Sequence, residues 1–265
     1  MIAFSKTPKE CFQPAAEAAR EAFKINDHLA DPYVSLAIVK YLYEGDWAGA
    51  ERLLRRAIEL NSSHALAHRI LSYLLSSEGR HKEAIAEALL ACEIDPVSMR
   101  SHVCLGAGYY LARRYDEAIA TLQGILDIQP AISLAMMWLG AACSMNSMHK
   151  EAIRILGKAK ELYSSNTLIL GWLGAAYAKA AMKGQAGKVL DKLARLAAKR
   201  YVSAYDVALI HASLEQPDQT FHYLEKAFEE RCPFFRVLFN SDPRLDTLRS
   251  DPRYHILANR LRKID

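Results

Sequence analysis

The sequence predicts an all-α fold, a right-handed α-solenoid of stacked antiparallel helix pairs, with about six 34-residue repeats plus terminal helices. Alanine and leucine, which both favour helices, supply 41 and 34 of the 265 residues, and there are only 12 glycines and 9 prolines. Small residues also return every 34 positions. The first series is Ala50, Ala84, Ala118, Ala152, Ala186 and Thr220, and the second is Ser72, Gly106, Gly140, Gly174 and Ala208. A fixed period of this length is typical of repeated two-helix units.

Each unit is predicted to contain two helices joined by a short turn. Turns are indicated at Gly45-Asp46-Trp47 and Gly79-Arg80-His81, and second helices end at Asp95-Pro96 and Gln129-Pro130. A small residue on each helix lets the backbone of its partner approach closely, which explains the two periodic series.

The six units cover the central part of the chain, and the first of them is slightly longer. Ala37 precedes Ser72 by 35 residues instead of 34, so we expect one additional residue near Glu44–Gly45. The predicted units span residues 30–64, 65–98, 99–132, 133–166, 167–200 and 201–232.

Both ends of the array depart from the repeat. Residues 13–26 are predicted to form a second helix without its first helix, which exposes an apolar face. We therefore expect a fragment of a longer protein, or a face covered by another subunit. Asp242-Pro243-Arg244 and Asp251-Pro252-Arg253 each place Asp at an N-cap and Pro at the first helical position, which predicts two short helices over the last repeat. The predicted divisions are an N-terminal segment 1–29, six repeats 30–232 and capping helices 233–265.

Composition excludes several classes of protein. The net charge is +4, and the excess lies in residues 231–265, whereas residues 1–230 contain 26 basic and 26 acidic side chains. A nucleic-acid surface needs a denser basic stripe, so no nucleic-acid partner is predicted. The apolar runs are too short to span a bilayer, and no secretory signal is present. An odd number of scattered cysteines indicates buried thiols in a reducing compartment, the cytoplasm. The cysteines are Cys11, Cys92, Cys104, Cys143 and Cys232.

The order of residue types within a unit carries a family resemblance. A bulky residue is followed by Leu-Gly, an aromatic residue, alanine and a closing proline. The third unit shows this pattern with Leu105-Gly106, Tyr109, Tyr115, Ala118, Leu122, Ile125 and Pro130. On these residues the chain resembles the tetratricopeptide repeat family, which implies an interaction scaffold.

A narrower resemblance lies near the C-terminus. Residues 199–231, together with Asp242–Tyr254, are similar to the C-terminal tetratricopeptide region of bacterial signalling proteins, which include winged-helix regulators, Ser/Thr kinases and nucleotide cyclases. The resemblance implies the sensing or regulatory part of such a protein, without its effector domain.

No residue pattern supports catalysis, a cofactor or a metal. His81-Lys82-Glu83 and His149-Lys150-Glu151 lack the second histidine of a zinc-protease motif, so they are interpreted as solvent-facing helix starts. Residues 184–188 lack the spacing of a phosphate loop. His68 and His102 occupy equivalent positions of neighbouring units, which favours packing or hydrogen bonding over a shared metal. We therefore expect no enzymatic activity.

The predicted functional surface is the concave groove of the array, lined mainly by first helices. Its residues are mostly apolar or small, which suits an amphipathic helix, an extended segment or the terminus of the chain itself. Cys104 and Trp138 stand where the family would need Asn or Arg to hold a C-terminal carboxylate, so that function is not implied. Large flat or forked side chains dominate interface energies. The predicted partner-binding residues are Arg69, Tyr73, Arg100, Tyr110 and Met137.

Two functions remain open at this point. The first is a non-enzymatic scaffold that binds a protein or peptide segment in the apolar groove. The alternative is a self-associating structural module, a homo-oligomer that uses the exposed N-terminal half-repeat. Neither requires a membrane.

Overall fold

The protein is described by a computed structural model that covers residues 8–26 and 28–262, and the regular structure in those ranges is helical. The predicted all-α solenoid is confirmed. Helix α1, Pro8–Ile25, precedes six helix pairs. The pairs are α2 Ala30–Val39 with α3 Trp47–Leu60, α4 Ala65–Ser77 with α5 His81–Ile94, α6 Met99–Leu111 with α7 Tyr115–Ile128, α8 Ser133–Met145 with α9 His149–Leu162, α10 Thr167–Lys179 with α11 Lys183–Ala197, and α12 Ala204–Ser213 with α13 Pro217–Glu229. After α13 come α14 Pro233–Leu238, a 3-10 helix Pro243–Leu248 and α15 Pro252–Arg262.

The first helices of the pairs form the inner row of the solenoid. Each second helix packs against the first helix of its own pair and against that of the next pair. The first helices also contact one another from pair to pair. This arrangement makes the row of first helices the concave face, as the sequence predicts.

The turn inside every pair contains one residue in the left-handed backbone region, again with a period of 34. Glycine occupies this position only in the first two pairs, where φ is 84° at Gly45 and 80° at Gly79. The later pairs place other residues there, although a side chain raises the energy of this conformation. These residues are Arg113 (φ 63°), Ser147 (61°), Ala181 (58°) and Glu215 (59°).

The additional residue of the first unit is absorbed by a change of helix type. After α2 the chain continues as one turn of π-helix, Lys40–Glu44, which ends at Gly45. The Gly45 amide donates to the Lys40 carbonyl five residues earlier, over 2.7 Å. A π-turn holds one residue more than an α-turn, which explains the spacing of 35 residues.

Close helix packing accounts for both series of small residues. The five alanines of the first series and Thr220 are fully buried. In the second series, a methyl group at Gly140 would lie 2.5 Å from Cγ of Leu156, and one at Gly106 would lie 2.6 Å from Cγ of Leu122. At Gly106 and Gly140 the leucine of the second helix therefore lies too close for a β-carbon, whereas the equivalent positions 72 and 208 hold serine and alanine.

Helix α1 covers the start of the array. Phe12, Ala16 and Ala19 are buried, and Phe12 stacks on Tyr43 with 5.7 Å between ring centroids. Phe23 lies edge to face with a tyrosine of α2 at 4.5 Å. The predicted N-terminal helix is present and longer than expected.

The residues that follow α13 extend much farther than the sequence predicts. Helix α15 does pack on α13, where Arg260 pairs with Glu225 at 2.6 Å. Residues 231–249, here named the closing segment, instead turn back across the concave face. Helix α14 contacts α4 and the π-turn of the first pair. The C-terminal helices do contact the last pair, as expected, but the closing segment also reaches the first two pairs, which the sequence does not predict.

Candidate binding groove

Two first helices in the middle of the array, α8 and α10, are buried on the side that faces the groove as well as on the side that faces their partners. In α8 every residue from Ala135 to Ser144 is buried, and in α10 the same holds from Ile169 to Ala176. An open concave face would leave part of each first helix exposed. The closing segment supplies the missing cover, so the groove of this chain is occupied by its own residues.

A buried ion pair anchors the middle of the closing segment. Nη2 of Arg244 lies 2.7 Å from Oδ2 of Asp242, and the exposed fractions of these side chains are 5% and 0%. Burial alone would raise the pKa of Asp242, but the Arg244 guanidinium holds this pKa below its usual value. The pair is therefore charged within the core.

Side chains of two first helices, α10 and α12, contact this ion pair. The Tyr205 hydroxyl of α12 donates to Oδ2 of Asp242 over 2.8 Å. The Arg244 guanidinium carbon lies 4.4 Å from the centre of the Trp172 ring of α10, a cation–π distance. Aromatic rings complete the anchor, because Phe235 and Phe239 are fully buried and lie 5.0 Å apart.

The middle of the array is tied to the closing segment by Arg113. Its guanidinium pairs with Asp246 over 2.6 Å and donates to the Ser241 carbonyl over 3.0 Å. Arg249 also pairs with Asp246, over 2.7 Å. The pKa of His81, the first residue of α5, is lowered by burial and then by the charges of Arg113 and Arg249.

The five predicted partner-binding residues have different positions. Arg100 is exposed, whereas Arg69 and Tyr73 are half-buried. Tyr110 is fully buried and Met137 is 2% exposed, so the expectation that they present a contact surface is wrong.

The reason for the burial of Tyr110 is aromatic packing together with the closing segment. The Tyr110 ring lies 5.3 Å from Trp138 and 5.9 Å from Tyr115. Burial raises its pKa strongly, and the charges of Arg244 and Asp242 also act on the hydroxyl, which places the closing segment nearby. Repeat register identifies the face on which a residue lies, but it does not show what covers that face.

The histidines that the sequence singled out take part in packing and hydrogen bonding. Nδ1 of His68 lies 2.6 Å from Glu87, and Nε2 of His102 lies 3.0 Å from the Pro96 carbonyl. His81 and His149 are half-buried, not solvent-facing as expected. Within residues 8–26 and 28–262, no group of three or more His, Cys, Asp or Glu side chains is arranged to hold a metal ion.

The signal for the closing segment was present in the sequence. Phe234, Phe235 and Phe239 form an aromatic cluster next to Arg236, directly after the last repeat. Such a composition is typical of a segment that docks on a folded surface. The surface that this segment contacts, however, extends as far as Tyr43 of the first pair. The guanidinium carbon of Arg231 lies 5.8 Å from the centroid of the Tyr43 ring.

Comparison with known families supports the repeat assignment. A family model described as tetratricopeptide repeat matches residues 39–98. The match supports tetratricopeptide-type repeats in this part of the chain. Among curated proteins, none matches the sequence. Proteins built from tetratricopeptide repeats generally act as non-catalytic scaffolds for protein–protein interaction.

Solved structures with tetratricopeptide-type solenoids resemble the whole array. PilF of Pseudomonas aeruginosa is 21% identical, with 88% of this chain and 98% of that chain covered and a TM-score of 0.55. A tetratricopeptide repeat protein of Parabacteroides merdae is 13% identical, with coverages of 84% and 88% and a TM-score of 0.62. A chain of the APC/C hetero-tetramer Cut9–Hcn1 is 16% identical, with 95% of this chain and 46% of that chain covered and a TM-score of 0.64. At these identities the likeness shows the fold.

None of the helices between residues 8 and 262, as far as the structure describes them, combines the length and apolar character needed to cross a membrane.

Proposed function

We propose that this chain is a protein-binding scaffold whose groove accepts a segment of a partner protein in place of its own closing segment. The observation that carries the proposal is the occupied groove, in which residues 231–249 are held by aromatic rings and ion pairs. These contacts describe the chemistry that a partner segment needs: bulky aromatic side chains, with an Asp and an Arg close together. The tetratricopeptide fold and its general use as an interaction scaffold support the same reading.

The contacts of the closing segment differ in strength, which suggests where displacement begins. The Asp242–Arg244 pair is buried, but Arg113 and Asp246 are 33% and 41% exposed. Exposed ion pairs contribute little to stability, about 0–1 kcal/mol. The stretch around Asp246 is thus the part of the segment that a competitor can open first.

A labelled peptide with the sequence of residues 231–249 tests the proposal when it is added to the full-length protein. Asp246→Ala weakens the internal segment, whereas the peptide keeps its own aspartate for Arg113. We expect tighter peptide binding to Asp246→Ala than to the unmodified protein, measured by fluorescence polarisation. Asp251→Ala is the matched control, because Asp251 pairs with Arg253 at the start of α15. Equal binding to all three proteins would contradict a displaceable segment.

The predicted partner residues on the open part of the surface stay part of the proposal. Arg69, Tyr73 and Arg100 lie on first helices and keep exposed surface, so they can contact a bound segment. Alanine at each position should weaken partner binding without loss of fold, which circular dichroism and binding titration together can test.

The resemblance to bacterial signalling proteins supports a regulatory role for the scaffold. In a longer protein, exchange of the closing segment for a partner segment would change the surface presented to an attached effector domain. A fusion to a reporter effector should respond to the Asp246→Ala substitution. An unchanged reporter output would count against this role.

Self-association through α1 has less support. The exposed positions that the structure describes on α1 are mainly alanines and charged residues, such as Ala15, Ala18, Glu17 and Glu21. This surface is poorer in large apolar side chains than a stable dimer interface generally is. Light scattering on the purified chain tests the alternative directly.

A further inference from the structure

One arginine of the closing segment is buried without a counter-charge. Arg236, on α14, is 2% exposed, and its Nη1 atom is inaccessible to solvent and has no hydrogen-bond partner. Among the residues that the structure describes, none forms an ion pair or a side-chain hydrogen bond with its guanidinium. Arginine cannot lose its proton in a protein, so this charge persists in the interior.

Two other arginines of the closing segment have carboxylate partners, unlike Arg236. Arg244 is paired with Asp242, and Arg249 is paired with Asp246. Arg231 is exposed, and its guanidinium carbon lies 5.8 Å from the centre of the Tyr43 ring. Two uncompensated positive charges therefore lie together at the end of the segment that faces the first pair.

The pKa values agree with this arrangement. Burial lowers the pKa of Arg236, and the neighbouring Arg231 charge lowers it further, while Tyr43 acts weakly in the opposite direction. No carboxylate contributes. A buried charge is unfavourable unless it is paired, so an unpaired one in a native fold is a candidate binding group.

The surroundings offer a second unpartnered polar group. Helix α14 packs on α4 and on the π-turn of the first pair. On α4, the hydroxyl oxygen of Ser76 is also buried without a hydrogen-bond partner, and Ser76 is 1% exposed. Guanidinium N–H donors match the oxygen atoms of an anion.

We propose that Arg236 and Arg231 bind a small oxyanion, a phosphate or a carboxylate, at the seam between the first pair and the closing segment. The anion neutralises the charge that α14 brings into the interior. Because the unpaired charge disfavours the docked position of α14, its neutralisation favours the closing segment on the groove. This inference does not depend on which partner uses the groove.

Thermal unfolding of the full-length protein tests the site. The probes are inorganic phosphate and acetate, each compared with chloride at the same ionic strength. A ligand that binds only the folded state raises the melting temperature as its concentration rises above the dissociation constant. We expect such a rise with phosphate or with acetate, and the two series distinguish the sources of the oxyanion.

Substitutions decide whether the rise comes from this site. Arg236→Met keeps most of the side-chain volume and removes the charge, so it should unfold at the same or a higher temperature without anion and show no rise. Arg231→Met, at an exposed position, should fold normally and show a smaller rise, which keeps the test decisive if Arg236→Met folds poorly. Arg253→Met, whose partners are Asp251 and Asp218, is the control and should respond like the unmodified protein.

Three results would overturn the proposal. One is the absence of any rise in the unmodified protein with either anion. Another is an equal rise in Arg231→Met, Arg236→Met and the control, which indicates a general salt effect. The third is a full rise in a well-folded Arg236→Met.

Discussion

Arg113 and Asp246 lie 133 residues apart in sequence, and their side chains meet with 2.6 Å between Nη2 and Oδ1. Arg113 also occupies the left-handed position of its turn, where the first two pairs have glycine. One residue therefore accepts backbone strain and connects the third pair to the closing segment.

Glycine substitutions distinguish the energetic cost of the left-handed backbone from the contribution of the Arg113–Asp246 ion pair. Ala181→Gly should raise the free energy of unfolding by about 0.5–1 kcal/mol, because Ala181 has the same left-handed backbone. Arg113→Gly gains the same relief but loses its ion pair and its bond to the Ser241 carbonyl. We expect its net effect to be lower by about 1 kcal/mol, measured by urea unfolding. Ala180→Gly, where φ is −79°, is the control and should not stabilise.

Removal of the buried aspartate should be far more costly than removal of the exposed one. Asp242→Ala leaves the Arg244 guanidinium buried without a partner, so we expect a loss of about 3–5 kcal/mol. Asp246→Ala breaks partly exposed pairs and should cost about 0–1 kcal/mol. Denaturant titration of both variants measures the difference. Similar costs would show that the Asp242 site is not an anchor.

Glycine at the helix contact is required for packing and not for flexibility. Gly140→Ala would bring its methyl group within 2.5 Å of Leu156, so we expect a loss of about 1–3 kcal/mol. Gly157→Ala, on the adjoining helix, meets no atom within 4 Å and should gain about 0.5–1 kcal/mol from helix propensity. Opposite signs in thermal or urea unfolding confirm the distinction. A loss in both variants would favour a backbone explanation instead.

Asp206 makes the stability of the fold depend on pH. Burial raises its pKa from 3.8 to about 7, despite the hydrogen bonds from Ser203 and Trp172 that act in the opposite direction. Between these values the folded state holds a proton that the unfolded chain has lost, so this group lowers stability as pH rises.

Substitution of Asp206 should remove this dependence. Asp206→Asn cannot ionise, so we expect its advantage over the unmodified protein to grow by about 1–4 kcal/mol from about pH 4 to pH 8. Urea unfolding at several pH values provides the measurement. Asp191→Asn, at an exposed position of α11, controls for the loss of a carboxylate. A constant difference between the Asp206 variant and the unmodified protein across this range would argue against a buried, titrating Asp206.

Periodicity could predict the array but not the contents of its groove. Gly106 and Gly140 face leucines of the next helix in equivalent ways, and a contact that recurs in every unit leaves a period in the sequence. The docking of α14 on the first pair occurs once and leaves no period. Repeat register therefore predicts the face on which Tyr110 lies but not its complete burial, whereas it does predict the burial of Ala84 and Ala118 in the helix contact.

The closing segment also changes how the fold can come apart. In an open solenoid each unit touches only its neighbours, so units at the ends can unravel separately. Here Arg231 contacts the ring of Tyr43, and α14 contacts the π-turn of the first pair. The residues that follow the last pair are therefore in contact with the first pair. Opening of either end must break these contacts, so we expect the array to unfold more cooperatively than an open solenoid. Contacts between such distant parts of the chain also slow folding, because the intervening helices must form before the closing segment can dock on the first pair.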